Sequence, residues 1–142
     1  MNRPGAGWLV LRVCLGIFFL FEGIGKIRWF ANGTILATQL NGWLQSSAPG
    51  SISHWYLSSV AMPYESIFAR LVPLGELSVG VALLLGFLTP LFALIGFFMA
   101  VNFEIASGVV FRYAFLTNPY GFPVLGAMLA LALAGQMRRR WP

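Results

Sequence analysis

The chain has 142 residues, of which 58% are hydrophobic and 9% charged, with mean hydropathy +0.80 and a formal net charge of +5. Such values exclude an ordinary soluble domain, whose charged fraction is nearer to about 25%. The positive balance does not indicate nucleic acid, because Arg3 and Arg138-Arg139-Arg140 flank apolar runs as cytoplasmic residues flank membrane spans, where they also meet anionic lipid.

Four segments are long enough to cross roughly 30 Å of hydrocarbon at about 1.5 Å per residue: residues 6–27, 64–87, 90–110 and 120–137. The first is read as a retained helix and not a signal peptide, since Glu22-Gly23-Ile24-Gly25-Lys26 follows it where a cleavage pattern would stand. Within it Arg12, Gly16, Phe19, Gly23 and Lys26 make one inward stripe, with Arg12 snorkelling to the cytoplasmic interface. Cys14, the single cysteine, reads as a small buried apolar residue and allows no intrachain disulfide.

Residues 28–63 connect the first two spans, long for a structureless link. Leu36, Leu40, Trp43 and Leu44 recur at helical spacing, and Ile52, Trp55, Tyr56 and Val60 form a second stripe after Ala48-Pro49-Gly50. Amphipathic pieces at the interface are expected, either as a lid over a pocket or as simple anchors. The second span carries Pro73, which predicts a kink three residues before Glu76. Gly96-x-x-x-Ala100 and Gly126-x-x-x-Ala130-x-x-x-Ala134 are expected to be packing seams on the third and fourth spans. The whole reads as one domain over residues 1–142: an all-α integral membrane four-helix bundle with an amphipathic extracytoplasmic loop between helices 1 and 2, both termini cytoplasmic, in the inner membrane.

The chain has four acidic residues, all Glu. Glu22, Glu76 and Glu104 lie inside the apolar runs, where a carboxylate costs about 2.5–3.5 kcal/mol on insertion scales. With the N-terminus inside, they gather in one half of the bundle with Lys26, Arg70, Asn102 and Arg112. Glu22, Glu76 and Glu104 are therefore the candidate catalytic or proton-handling residues, and Lys26, Arg70, Arg112 and Asn102 the candidate binding residues. The alternative is that Glu22, Glu76 and Glu104 pair with Lys26, Arg70 and Arg112 only to neutralise charge and fix packing. His54 is the only histidine, so no metal site is expected.

These residues resemble the DoxX family of small bacterial and archaeal membrane proteins. The resemblance rests on Arg12, Leu15-Gly16, Gly23 and Lys26 in the first span, and on Gly75-Glu76-Leu77, Gly80 and Leu83-Leu84-Leu85-Gly86 with Thr89 in the second. The long loop and Phe68-Ala69-Arg70-Leu71-Val72 look like the branch that includes the DoxD-type small subunit of thiosulfate:quinone oxidoreductase. The family often has Arg after that Thr, where this chain has Pro90.

The resemblance implies a membrane subunit of a quinone-linked redox system, tied to thiosulfate or other sulfur-compound oxidation or to oxidative stress. Buried Glu would then deliver protons to a bound quinone, and the cations would attract a small oxyanion. The chain holds no intrinsic redox cofactor, with one Cys, one His and no Gly-rich fingerprint, so electrons must come from a redox partner or a second copy. A non-catalytic anchor or assembly partner for a redox enzyme, and a small-solute or proton carrier, are the alternatives.

Overall fold

A computed structural model describes residues 5–137, and all of the regular structure in them is helical. The basic residues Arg3 and Arg138-Arg139-Arg140, which underlie the cytoplasmic assignment of the termini, lie outside the described residues.

The four long helices are α1 (Ala6–Gly25), α5 (Glu65–Leu85), α6 (Thr89–Ser107) and α8 (Phe122–Met137). Between α1 and α5 come α2 (Arg28–Ala31), α3 (Thr34–Ser46) and α4 (Ile52–Tyr56), which runs on as a π-helical turn over Leu57–Ala61; α7 (Ala114–Thr117) precedes α8. Three helical stretches are long and apolar enough to cross a membrane: Ala6–Ala31, Glu65–Leu85 and Thr89–Ser107. α8 is apolar but shorter.

α1 packs on α5, α5 on α6, α6 on α8 and α8 back on α1. Glycine makes the first of these contacts possible. A Cβ on Gly80 would lie 2.6 Å from the Leu20 nitrogen, and one on Gly23 would lie 2.9 Å from the Leu77 nitrogen, so the two backbones touch. The core of this assembly is Phe19, Val79, Leu83, Ala93, Ala100, Met128 and Leu131.

The α5–α6 hairpin turns at Gly86, with φ of 76° and Phe87 N–H donating to the Ala82 carbonyl at 2.9 Å, a helix-ending pattern that favours glycine. The Arg12 guanidinium occupies the space a side chain at Gly86 would need, and its centre lies 5.6 Å from the Trp8 ring. Arg12 thus closes on the hairpin, where the sequence suggested an extended reach to the interface.

Gly16, Phe19 and Gly23 are buried as the α1 stripe requires, but Cys14 is exposed on the opposite side. Pro73 is buried inside a helix that continues without interruption from Glu65 to Leu85. The seam expected on α8 faces outward: Gly126 has nothing within 4 Å of a built Cβ and Ala130 is exposed. α8 buries Leu125, Met128, Leu131 and Ala132 instead, and the Met128 side chain fills the space left by Gly96.

α3 and α4 cover one end of the long helices. α3 buries Leu36 and Leu40 and leaves Thr38, Gln39 and Asn41 exposed. The second piece adopts another register from the one its apolar residues suggest. Ser53, Leu57 and Ala61 are buried, whereas Ile52 and Trp55 are exposed at 73% and 61%. Large apolar residues on the outside are what a lipid neighbour permits, which is why polarity alone misplaces the buried face there.

Candidate functional site

Four side chains from three parts of the chain meet beneath this cover. Glu22 lies in the last turn of α1, and Lys26 caps the helix one turn further on, where a cation is favoured by the free carbonyls. The Gly23–Leu77 backbone contact brings Lys26 within reach of Glu76, which shares the inward face of α5 with Val72, Pro73 and Val79. The fourth member, Tyr120, precedes α8. Its N–H donates to the Asn118 side-chain oxygen at 3.2 Å, a local turn that aims the ring inward.

Lys26 Nζ donates to Glu22 Oε2 at 2.7 Å, to Glu76 Oε1 and Oε2 at 2.8 and 3.0 Å, and to the Tyr120 hydroxyl at 2.6 Å. The Tyr120 hydroxyl is 2.9 Å from Glu22 Oε2 and also bonds Glu76 Oε1. Glu76 is fully buried, Lys26 nearly so at 14%, and Glu22 is 31% exposed at the edge.

Six contacts therefore draw on four hydrogens, three from the ammonium and one from the phenol. Two carboxylates around one ammonium leave the group one proton short of neutrality. A cluster with this composition can accept or release a single proton while its members stay in place, and Glu22 is its most exposed member.

Phe103 links the cluster to a second feature. Its ring stacks on Tyr120 at 4.7 Å and lies 5.2 Å from Lys26 Nζ. The same ring lines an apolar cavity under the cover, together with Trp29, Trp43, Tyr56, Phe68 and Asn102. The cavity is small, with about 20 Å³ free, space for about one water. Its polar feature is the hydrogen bond from the Tyr56 hydroxyl to Asn102 Oδ1. Burial pushes the Tyr56 phenol above its ordinary value, with the Asn102 side chain pulling the other way.

Of the candidates read from sequence, Glu22, Lys26 and Glu76 come together, and Asn102 lines the neighbouring cavity. The other three do not join them. Arg70 is exposed and donates to the Ser66 carbonyl at 3.3 Å; six residues from Glu76, it lies about 120° round the helix. Arg112 is exposed beyond the end of α6. Glu104 is buried at 1% exposure, yet neither carboxyl oxygen has a hydrogen-bond partner, so the expected pairing with a cation is absent among the described residues. No cluster of three or more potential metal ligands occurs among the described residues. Tyr120, which bonds all three charged members, was not a sequence candidate. A tyrosine at the start of an apolar run reads as an interface anchor.

Several long apolar helices packed around a buried charged cluster define a small multi-pass membrane protein. The chain belongs to the DoxX family, whose model matches residues 7–107. The matched region contains Glu22, Lys26, Glu76 and Phe103 and stops before Tyr120 and α8. No curated protein and no solved structure matches the chain.

Proposed function

We propose that the protein is a small membrane subunit of a quinone-linked redox system, with α8 as a fourth crossing and the Glu22–Lys26–Glu76–Tyr120 cluster as the proton store for the quinone. The observation that carries this reading is the position of Phe103, one ring shared between an aromatic cavity and a cluster one proton short of neutral. Quinone reduction takes up two electrons and two protons, and the cluster, which releases one proton at a time, supplies the second after reloading through Glu22. The electrons come from a partner that oxidises a reduced sulfur compound such as thiosulfate, in keeping with the resemblance of the Phe68–Val72 region to the DoxD-type branch.

The lining chemistry suits a quinone. Trp29, Trp43 and Phe103 offer aromatic faces to a flat ring, and the Tyr56–Asn102 pair offers polar groups to a carbonyl. The free volume of about 20 Å³ does not admit the ring, so entry requires α3, which carries Leu36, Leu40 and Trp43, to lift from the long helices. The cavity and the cluster thus act in sequence: α3 opens, the aromatic residues hold the ring, and Phe103 turns aside to let the quinone carbonyl take a proton from Tyr120, which the carboxylates behind it replace.

Titrating the detergent-purified protein with a water-soluble short-chain quinone tests this. The reading predicts saturable quenching of tryptophan fluorescence, which Trp43→Leu and Asn102→Ala weaken. Linear, unsaturable quenching in the wild type, or identical curves for both variants, contradicts it. Capture of a stoichiometric redox enzyme by a protein that does not bind quinone would favour the anchoring reading.

A further inference from the structure

A second cavity, about 440 Å³, opens between the α3–α4 turn and the end of α6, away from the cluster. Of the five serines that line it, four have their hydroxyl hydrogen already committed, while Ser51 accepts from the His54 N–H at 3.1 Å. Ser46 donates to the Trp43 carbonyl at 3.0 Å, Ser47 to Leu44 at 2.7 Å, Ser53 to Ala106 at 3.1 Å and Ser107 to Glu104 at 3.3 Å. A serine has one hydrogen to give, and in each of these it points into the protein. Toward the cavity they present lone pairs, so they recognise hydrogen-bond donors. Ser47 is partly occupied, since His54 Nδ1 lies 3.0 Å from its oxygen.

The cation of the cavity is Arg112. It is exposed and makes no side-chain hydrogen bond or ion pair among the described residues, and its guanidinium fork suits a phosphate. The rim is apolar. Phe111 is 98% exposed and Ile52 is 73% exposed. Phe111 also holds a φ of 66°, an unfavourable region for a bulky residue, and this conformation carries its ring away from the protein. Exposed rings beside a membrane-spanning helix belong in hydrocarbon, which puts the cavity at the bilayer interface.

A ligand that fits must carry an anion for Arg112, hydroxyl donors for the serine oxygens and an apolar body for the rim. We propose that this cavity binds the headgroup of an anionic glycerophospholipid that carries free hydroxyls, of the phosphatidylglycerol type. The phosphodiester lies on Arg112, the two headgroup hydroxyls donate to Ser53 and Ser107, and the acyl chains run past Phe111 and Ile52. A choline headgroup has no donor to offer, and an ethanolamine headgroup brings donors but leaves the lipid without the net negative charge that balances Arg112. The proposal needs the chain to lie in a bilayer and is independent of the quinone reading.

Native mass spectrometry of the detergent-purified protein tests it, with phosphatidylglycerol, phosphatidylcholine and phosphatidylmethanol offered separately. Phosphatidylmethanol has the phosphate charge but no headgroup hydroxyl. The expected result is a one-to-one adduct retained best with phosphatidylglycerol. Arg112→Gln should weaken that adduct about tenfold or more. Ser53→Ala with Ser107→Ala should reduce the preference for phosphatidylglycerol over phosphatidylmethanol. Thermal unfolding of each variant without added lipid, unchanged from wild type for Arg112→Gln, shows that the effect is on binding. Equal retention of all three lipids, or an adduct untouched by Arg112→Gln in a folded protein, overturns the proposal. Displacement of the lipid by an equal concentration of soluble glycerophosphoglycerol would assign the site to a free phosphodiester and overturn it as well.

Discussion

Replacing Lys26 by Met keeps the length of the side chain and removes the only cation in the cluster. Glu76 is then a fully buried carboxylate left with the Tyr120 hydroxyl as its remaining partner. Breaking a buried pair by removing one member costs about 3–5 kcal/mol, because the uncompensated charge stays behind. Glu22 contributes less to this cost, since it is partly exposed and retains access to water. Glu76→Gln in the same background removes the stranded charge, and the amide still accepts from Tyr120. We therefore expect Lys26→Met to lower stability by about 3–5 kcal/mol and the Lys26→Met/Glu76→Gln double variant to recover much of it. Unfolding of the four proteins of this cycle in mixed detergent and denaturant micelles gives the coupling directly. A loss below about 1 kcal/mol for Lys26→Met, or a double variant less stable than the single one, would refute the view that Lys26 neutralises Glu76.

Four further substitutions probe other parts of the structure. Gly80→Leu forces a side chain into the Leu20 backbone and should cost about 1–3 kcal/mol or more, while Gly126→Ala meets open space and should be neutral or gain about 0.5–1 kcal/mol; equal effects in thermal unfolding would contradict the α1–α5 packing. Glu104→Met removes a buried carboxyl with no hydrogen-bond partner and should raise stability by about 1–3 kcal/mol, so a destabilised variant would show that a partner is engaged. Because burial raises the Tyr56 phenol above 10.0, the folded state favours its neutral form. That contribution is complete below the unfolded value and is lost as pH rises through the folded one. Tyr56→Phe should flatten the alkaline limb of the stability profile, and an unchanged limb would contradict the burial of Tyr56.

Much of this arrangement is legible in the chain itself. Apolar runs of sufficient length mark the long helices, with ends within a few residues of those observed. The four-residue spacing of Glu22 and Lys26 already implies that they meet, and Gly16, Gly23 and Gly80 anticipate a close α1–α5 contact. What fails is the step from depth to azimuth. Asn102 and Glu104 sit at similar depth, but two residues are about 200° of helix, so one lines the aromatic cavity and the other does not. Arg70 is lost from the cluster for the same reason. In a bilayer the usual correction from polarity is weak, because apolar residues face lipid as readily as the core. Ile52, Trp55 and the Gly126 seam all point outward on that account. Tyr120 needs the return of the chain from α6 through α7, a long-range placement that no local spacing encodes.

The central claim is that Glu76 moves a proton for a quinone and is not there for packing alone. The direct measurement is thiosulfate-dependent reduction of a water-soluble quinone by membranes that hold the protein and its redox partner, comparing wild type with Glu76→Gln at equal accumulation. The account predicts that Glu76→Gln inserts and folds but loses the activity, with Glu76→Asp retaining part of it. Full activity in a well-folded Glu76→Gln protein would contradict it, and so would failure of Glu76→Gln to accumulate with rescue by Glu76→Asp.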